Sequence, residues 1–100
     1  MNNMAVNFTA ELWMYLGKSA WFFVTLPKDE SEQIKFLNSH RQRSWGSLSV
    51  NAKIGKSEWK TSIFPNSKTG AYLLPIKANI RKKEKILAGD KVKISLVVMT

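Results

Sequence analysis

Apolar and polar positions alternate from residue 6 to residue 15. Val6, Phe8, Ala10, Leu12 and Met14 share one face, and Asn7, Thr9, Glu11, Trp13 and Tyr15 the other. A period of two over this length predicts a half-buried strand. Gly17, Lys18 and Ser19 form a turn signal, and the aromatic and β-branched stretch 21–26 reads as the returning strand of a hairpin, apolar on both faces. Pro27 lacks the N–H that a ladder needs and ends it. A short helix follows, with Asp29 as its cap and Glu32 completing a capping box. Ile34, Phe36 and Leu37 form its apolar edge, and His40, Arg41 and Arg43 stand at its end, where the helix dipole favours cations. After Gly46, the alternation of Leu48, Val50, Ala52 and Ile54 predicts a strand, and Gly55-Lys56 a turn. The next strand, 58–64, turns Trp59, Thr61 and Ile63 to one face and closes at Pro65.

Residues 66–70 are turn formers. Tyr72, Leu74, Ile76 and Ala78 then share a strand face, and Pro75 within that run places the strand at an edge, a bulge or a break. Residues 80–87 make about two helical turns, with Ile80, Lys83, Glu84 and Leu87 on one side. Gly89-Asp90 is a tight turn, and Val92, Ile94, Leu96 and Val98 mark the last strand. The order strand, turn, strand, short helix, glycine, strand thus occurs twice, over 6–54 and 57–98. Chance similarity of pattern is the alternative. A ββαβ unit of this size cannot bury its own sheet face. The expectation is an all-β fold with short helices, in which two pseudo-symmetric ββαβ halves close into one small β-barrel.

A chain of 100 residues is most simply one domain. It has no cysteine, which removes disulfides, thiolate metal sites and cysteine nucleophiles. No signal-peptide pattern opens it, and its longest apolar run, 20–24, is far short of the roughly 20 residues of a membrane helix. The expectation is a cytoplasmic monomer that does not enter a membrane. The formal charge is +9, of which +1 falls in residues 1–50 and +8 in 51–100. That asymmetry points to an anionic partner in the second half, against the plainer reading of solubility.

Arg81, Lys82, Lys83 and Lys85, with Lys77 before them, are the candidate anion or nucleic-acid contacts, because phosphate backbones need several cations at phosphate spacing. Lys53 and Lys60 extend the patch beside Trp59, a stacking platform if exposed. The competing reading is a solvated helix beside polar strand faces. Lys77 and Arg81 can also converge on an anion at a helix start, or Arg81 can pair with Glu84 or Asp90 and brace the turn. Trp13, Trp45 and Trp59 are candidates for an aromatic surface that takes a protein or small ligand, against packing in the barrel, the commoner fate of such residues and the one expected of Trp21. His40 is the one histidine, and Asp29, Glu30 and Glu32 are accounted for as helix-start charges. No catalytic set, metal site or cofactor is expected.

Several stretches carry a resemblance. Residues 59–65 (WKTSIFP), 70–78 (GAYLLPIKA), then Arg81, Glu84, Ile86 and 89–92 (GDKV), together with 21–27, are similar to a small prokaryotic family, the domain of unknown function numbered nineteen-oh-five. The resemblance spans nearly the whole chain. It implies a double-split β-barrel related to the swapped-hairpin barrels of AbrB, MazE and MraZ, which bind DNA as dimers. The two halves of one chain would here replace two subunits. Some relatives of the family are fused to a YdeI/OmdA-type domain. The resemblance brings no catalytic or binding residues. The first half is nearly neutral, whereas a pseudo-symmetric binder of the AbrB kind would be basic in both halves. The sequence reads as a non-enzymatic binding or accessory module.

Overall fold

The computed structural model describes residues 3–17, 19–39 and 46–99. His40, Arg41, Arg43 and Trp45 lie outside the described residues. The elements are β1 (Met4–Leu16), β2 (Ala20–Thr25), α1 (Lys28–Ser39), β3 (Leu48–Ile54), β4 (Ser57–Asn66), β5 (Ala71–Pro75), α2 (Ala78–Glu84) and β6 (Lys91–Val98). The strands close into a six-stranded barrel in the order β1-β2-β5-β4-β3-β6, and every pairing is antiparallel. Two strands are shared between sheets. β1 pairs with β6 from Met4 to Glu11 and with β2 from Leu12 to Leu16. β4 pairs with β3 up to Ile63 and with β5 from Phe64.

Alternation places most of the core as the sequence predicts; the exception is Met14, expected on the buried face of β1 but exposed on the stretch that has left β6 and pairs with β2. Val6, Phe8 and Leu12 meet Val50, Ala52 and Ile54, Ile63, Leu74, and Ile94, Leu96 and Val98 inside the barrel. α1 covers one region beside β5, and Ile80 and Ile86 bury the inner side of α2 and of the segment after it. No helix among the described residues is long and apolar enough to cross a membrane.

The expectations for several segments are corrected. α1 starts at Lys28, so Asp29 and Glu30 sit in its first turn and Asp29 does not cap it. Its buried stripe is Ser31, Ile34 and Asn38, while Phe36 and Leu37 are exposed. The reason is a polar anchor: the Ser31 hydroxyl accepts the Tyr72 backbone N–H at 3.1 Å. That bond also explains why β4 runs through Pro65. The Tyr72 N–H goes to Ser31 and its carbonyl accepts the Leu26 N–H at 2.9 Å, so neither turns towards Pro65, its partner in register. A residue without an N–H costs no ladder bond there. β5 ends at Pro75, and Ala78 opens α2 rather than extending the strand. α2 stops at Glu84, three residues early, because Lys85 adopts a left-handed conformation with φ 55°. Leu87 is consequently 73% exposed.

Burial raises the Tyr72 phenol above its ordinary 10.0, because tyrosinate loses its hydration there. The folded-state value is the higher one. This group's contribution to stability is therefore full below the unfolded value and is lost as pH rises towards and through the folded one. Urea unfolding above about pH 10 should show declining stability in the natural chain and a flatter profile in Tyr72→Phe. An equal decline in the variant would assign the alkaline loss to other groups.

Candidate functional site

The second helix is short, and four contacts fix its pose. Ile80 is buried under it. The Arg81 guanidinium lies over the Phe22 ring, 3.6 Å from its centroid, and Arg81 Nε donates to the Ile76 carbonyl at 3.2 Å. Ser57 Oγ donates to Glu84 Oε2 at 2.6 Å, which ties the helix to the β3–β4 hairpin. Gly55 makes that last contact possible. It has φ 57° at the first position of a two-residue turn, as a type II′ hairpin requires, and a Cβ there would meet Glu84 Oε1. Beyond the helix, Asp90 Oδ2 accepts the Leu87 N–H at 2.8 Å. The Gly89 N–H reaches the Leu12 carbonyl, and the Leu12 N–H the Asp90 carbonyl, which clamps this loop to β1 where β1 passes from one partner to the next.

Glu84 accepts from Ser57 and Asp90 from the Leu87 N–H, and Arg81 pairs with neither. Among the described residues no carboxylate lies within ion-pair distance of Lys77, Arg81, Lys82, Lys83 or Lys85. Lys85 is the one non-glycine described residue with positive φ. A side chain there costs about 1–2 kcal/mol relative to the glycine usual after a helix.

Three open clefts run around α2. The first, of about 420 Å³, lies between β2 and the start of the helix and is lined by Trp21, Phe22, Lys77 and Arg81 among others. The second, about 380 Å³, is lined by Arg81, Lys82, Lys85, Ile86 and Leu87. The third, about 410 Å³, carries Lys85, Lys91 and Lys93 together with the carboxylates Glu84 and Asp90 beside the Gly55 turn. Ala78 and Arg81 belong to both of the first two clefts, and Lys85 and Ile86 to both of the last two, so the clefts form one belt. Clustered cations that outnumber the carboxylates beside them attract a polyanion and release its counterions on binding.

The belt brings together Lys77, Arg81, Lys82 and Lys85 of the sequence candidates and adds Lys91 and Lys93. Lys83 is exposed on α2 but lines none of the three clefts. Lys53 and Lys60 sit apart, on the outer face of β3 and β4, opposite Glu58 and Asn51. The tryptophans separate as well. Trp59 is half-buried and packs against the core with its indole Nε1 buried. Trp13 is half-buried on the outer face, its Nε1 donating to Thr25 Oγ1 at 2.9 Å. Trp21, expected to pack in the barrel, is 53% exposed at one end of the belt. The apolarity of β2 on both faces was the available signal, because only one of its faces reaches the core.

Among the described residues no three of histidine, aspartate and glutamate gather closely enough to hold a metal ion. In comparison with known proteins, the family model described as "Domain of unknown function (DUF1905)" matches residues 8–96. No curated protein matches the chain.

Proposed function

The chain belongs to the DUF1905 family, and from that premise we propose that it is a non-enzymatic binding module for an anionic polymer, with nucleic acid as the partner its arrangement fits best. The observation that carries this reading is the belt of Lys77, Arg81, Lys82, Lys85, Lys91 and Lys93 along connected clefts, six cations that outnumber the carboxylates beside them, Glu84 and Asp90 in the third cleft and Glu11 opposite Lys91. Lys85 adds to it: the chain keeps a cation where backbone geometry favours glycine, a cost that fits a functional demand on the side chain. The supporting groups are held by the barrel, so the cations need little ordering of the backbone when they bind.

A duplicated architecture belongs to the same proposal. Exchanging β1 with β4, β2 with β5 and β3 with β6 carries the strand order onto itself. The bond from Leu26 N–H to the Tyr72 carbonyl then corresponds to that from Ile76 N–H to the Phe22 carbonyl. Val24 faces Leu74 and Ala52 faces Leu96 across the exchange axis. This supports two ββαβ units in the double-split manner of AbrB, MazE and MraZ barrels. Charge distinguishes the units: at the offset that carries Val24 to Leu74, Arg81, Lys82 and Lys83 of α2 correspond to Ser31, Glu32 and Gln33 of α1, and one polyanion site per chain follows. An experimental structure in which residues 6–54 fail to superpose on 57–98 would remove the duplication.

The binding reading is tested by titrating labelled DNA and RNA oligomers with the protein at increasing salt. The expected result is an affinity that falls linearly with salt on logarithmic axes. No binding even at low salt would overturn it.

A further inference from the structure

We infer that the partner is a single-stranded nucleic acid whose bases stack on an aromatic shelf on the outer face of the β1–β2 hairpin. The inference rests on the polyanion reading and names its substrate class. Tyr15 and Trp21 stand directly opposite each other in the ladder, and so do Trp13 and Phe23. The Trp21 and Phe23 rings are nearly parallel, 9° apart in plane with centroids at 6.0 Å, and Trp13 tilts onto Phe23 at 5.3 Å. Tyr15 and Trp21 are each more than half exposed. Leu73 and Phe64 complete an open apolar cleft of about 300 Å³ beneath these rings.

Position selects the occupant. Trp21 lines both this apolar cleft and the cleft that holds Lys77 and Arg81. The exposed rings therefore adjoin, at Trp21, cations that have no carboxylate within ion-pair distance among the described residues. A single strand has that alternation: flat bases with open π-faces on a phosphate backbone. A duplex does not, because its bases are stacked on each other and present only their edges. A protein ligand would suit the apolar cleft, but it would have to supply a run of carboxylates for the adjoining belt. Stacking on a ring is tolerant of base identity, so weak sequence preference follows.

The test uses four probes at one salt concentration: an oligothymidylate of about 12 nucleotides, an abasic oligomer of the same length, a duplex, and inorganic polyphosphate. The wild-type chain should bind oligothymidylate more tightly than the abasic oligomer or the duplex. Trp21→Ala should weaken oligothymidylate binding about tenfold or more and leave abasic and polyphosphate binding unchanged. Trp21→Phe, which keeps a ring, should retain most of the affinity. Trp21 is exposed, and an unchanged thermal melt checks that the fold survives. Equal affinity for oligothymidylate and the abasic oligomer, or an equal loss for every probe in Trp21→Ala, overturns the shelf and leaves the polyanion reading standing. Tighter binding of the duplex, or a wild-type dimer that Trp21→Ala dissociates, also overturns it, the latter by showing that the shelf is covered by a second copy. Failure to bind any of the four probes overturns both readings.

Discussion

Replacing Arg81 and Lys82 with alanine and Lys85 with glycine together is expected to weaken polyanion binding by on the order of a hundredfold at about 0.1 M salt. The magnitude follows from counterion release. Each phosphate contact to a single strand contributes about 0.7 to the slope of log affinity against log salt, so losing three lowers that slope by about 2. The three positions share the central cleft of the belt and, among the described residues, have no carboxylate partner to leave behind. Lys82 and Lys85 make no contact that the fold depends on, whereas Arg81→Ala also removes the stacking on Phe22 and the bond to the Ile76 carbonyl, so part of any loss of stability belongs to that position. At position 85 the glycine should return about 1 kcal/mol of backbone strain, because φ is 55° there. Anisotropy titrations across a salt series measure the slope, and denaturant unfolding measures the stability. An unchanged slope would move the site elsewhere on the molecule. A matching substitution of Lys53 and Lys60, which line none of the three clefts, should change affinity much less.

The largest expected effect on stability is that of Ile94→Ala, a loss of about 3–4 kcal/mol. Ile94 is fully buried in β6, the strand that joins β1 to β3. Truncation removes the transfer free energy of its methyl and methylene groups and leaves a cavity. The cavity can collapse only a little, because β6 is held by ladders on both sides. For a domain of this size the midpoint of thermal unfolding should fall by more than roughly 10 °C. Calorimetry or urea unfolding checks this, and a loss below about 1 kcal/mol would mean that the site is not packed as described. The exposed Leu87 is the contrasting position, where alanine should change stability by about 0.5 kcal/mol or less.

The barrel interior was legible in the sequence because period-two alternation reports which face is buried. Val50, Ala52 and Ile54 point inwards as expected, and so do Val92, Ile94, Leu96 and Val98. The failures occur where a long-range contact overrides a local pattern. Ser31 displaces Phe36 and Leu37 from the buried side of α1 because it receives a backbone N–H from a strand 41 residues further on. Pro65 looks like a strand terminator until the Tyr72 backbone groups are seen to turn away from it. The cations of α2 were legible one by one. Their connection to Trp21 was not, because it arises from the pairing of β2 with β5, which sets residues 21 and 22 beside residues 75–77. The same pairing gives Arg81 its place over Phe22 instead of a carboxylate.

The sharing of β1 between two partners also sets an order of events during synthesis. Its C-terminal part, Leu12–Leu16, pairs with β2, which follows it within a few residues. Its N-terminal part, Met4–Glu11, pairs with β6, and Met4 lies opposite Val98. At about 5–20 residues per second, the ribosome leaves Val6 and Phe8 without that partner for roughly 5–20 s. The barrel can close only after β6 has emerged, so the first strand to be made is among the last to be fully paired.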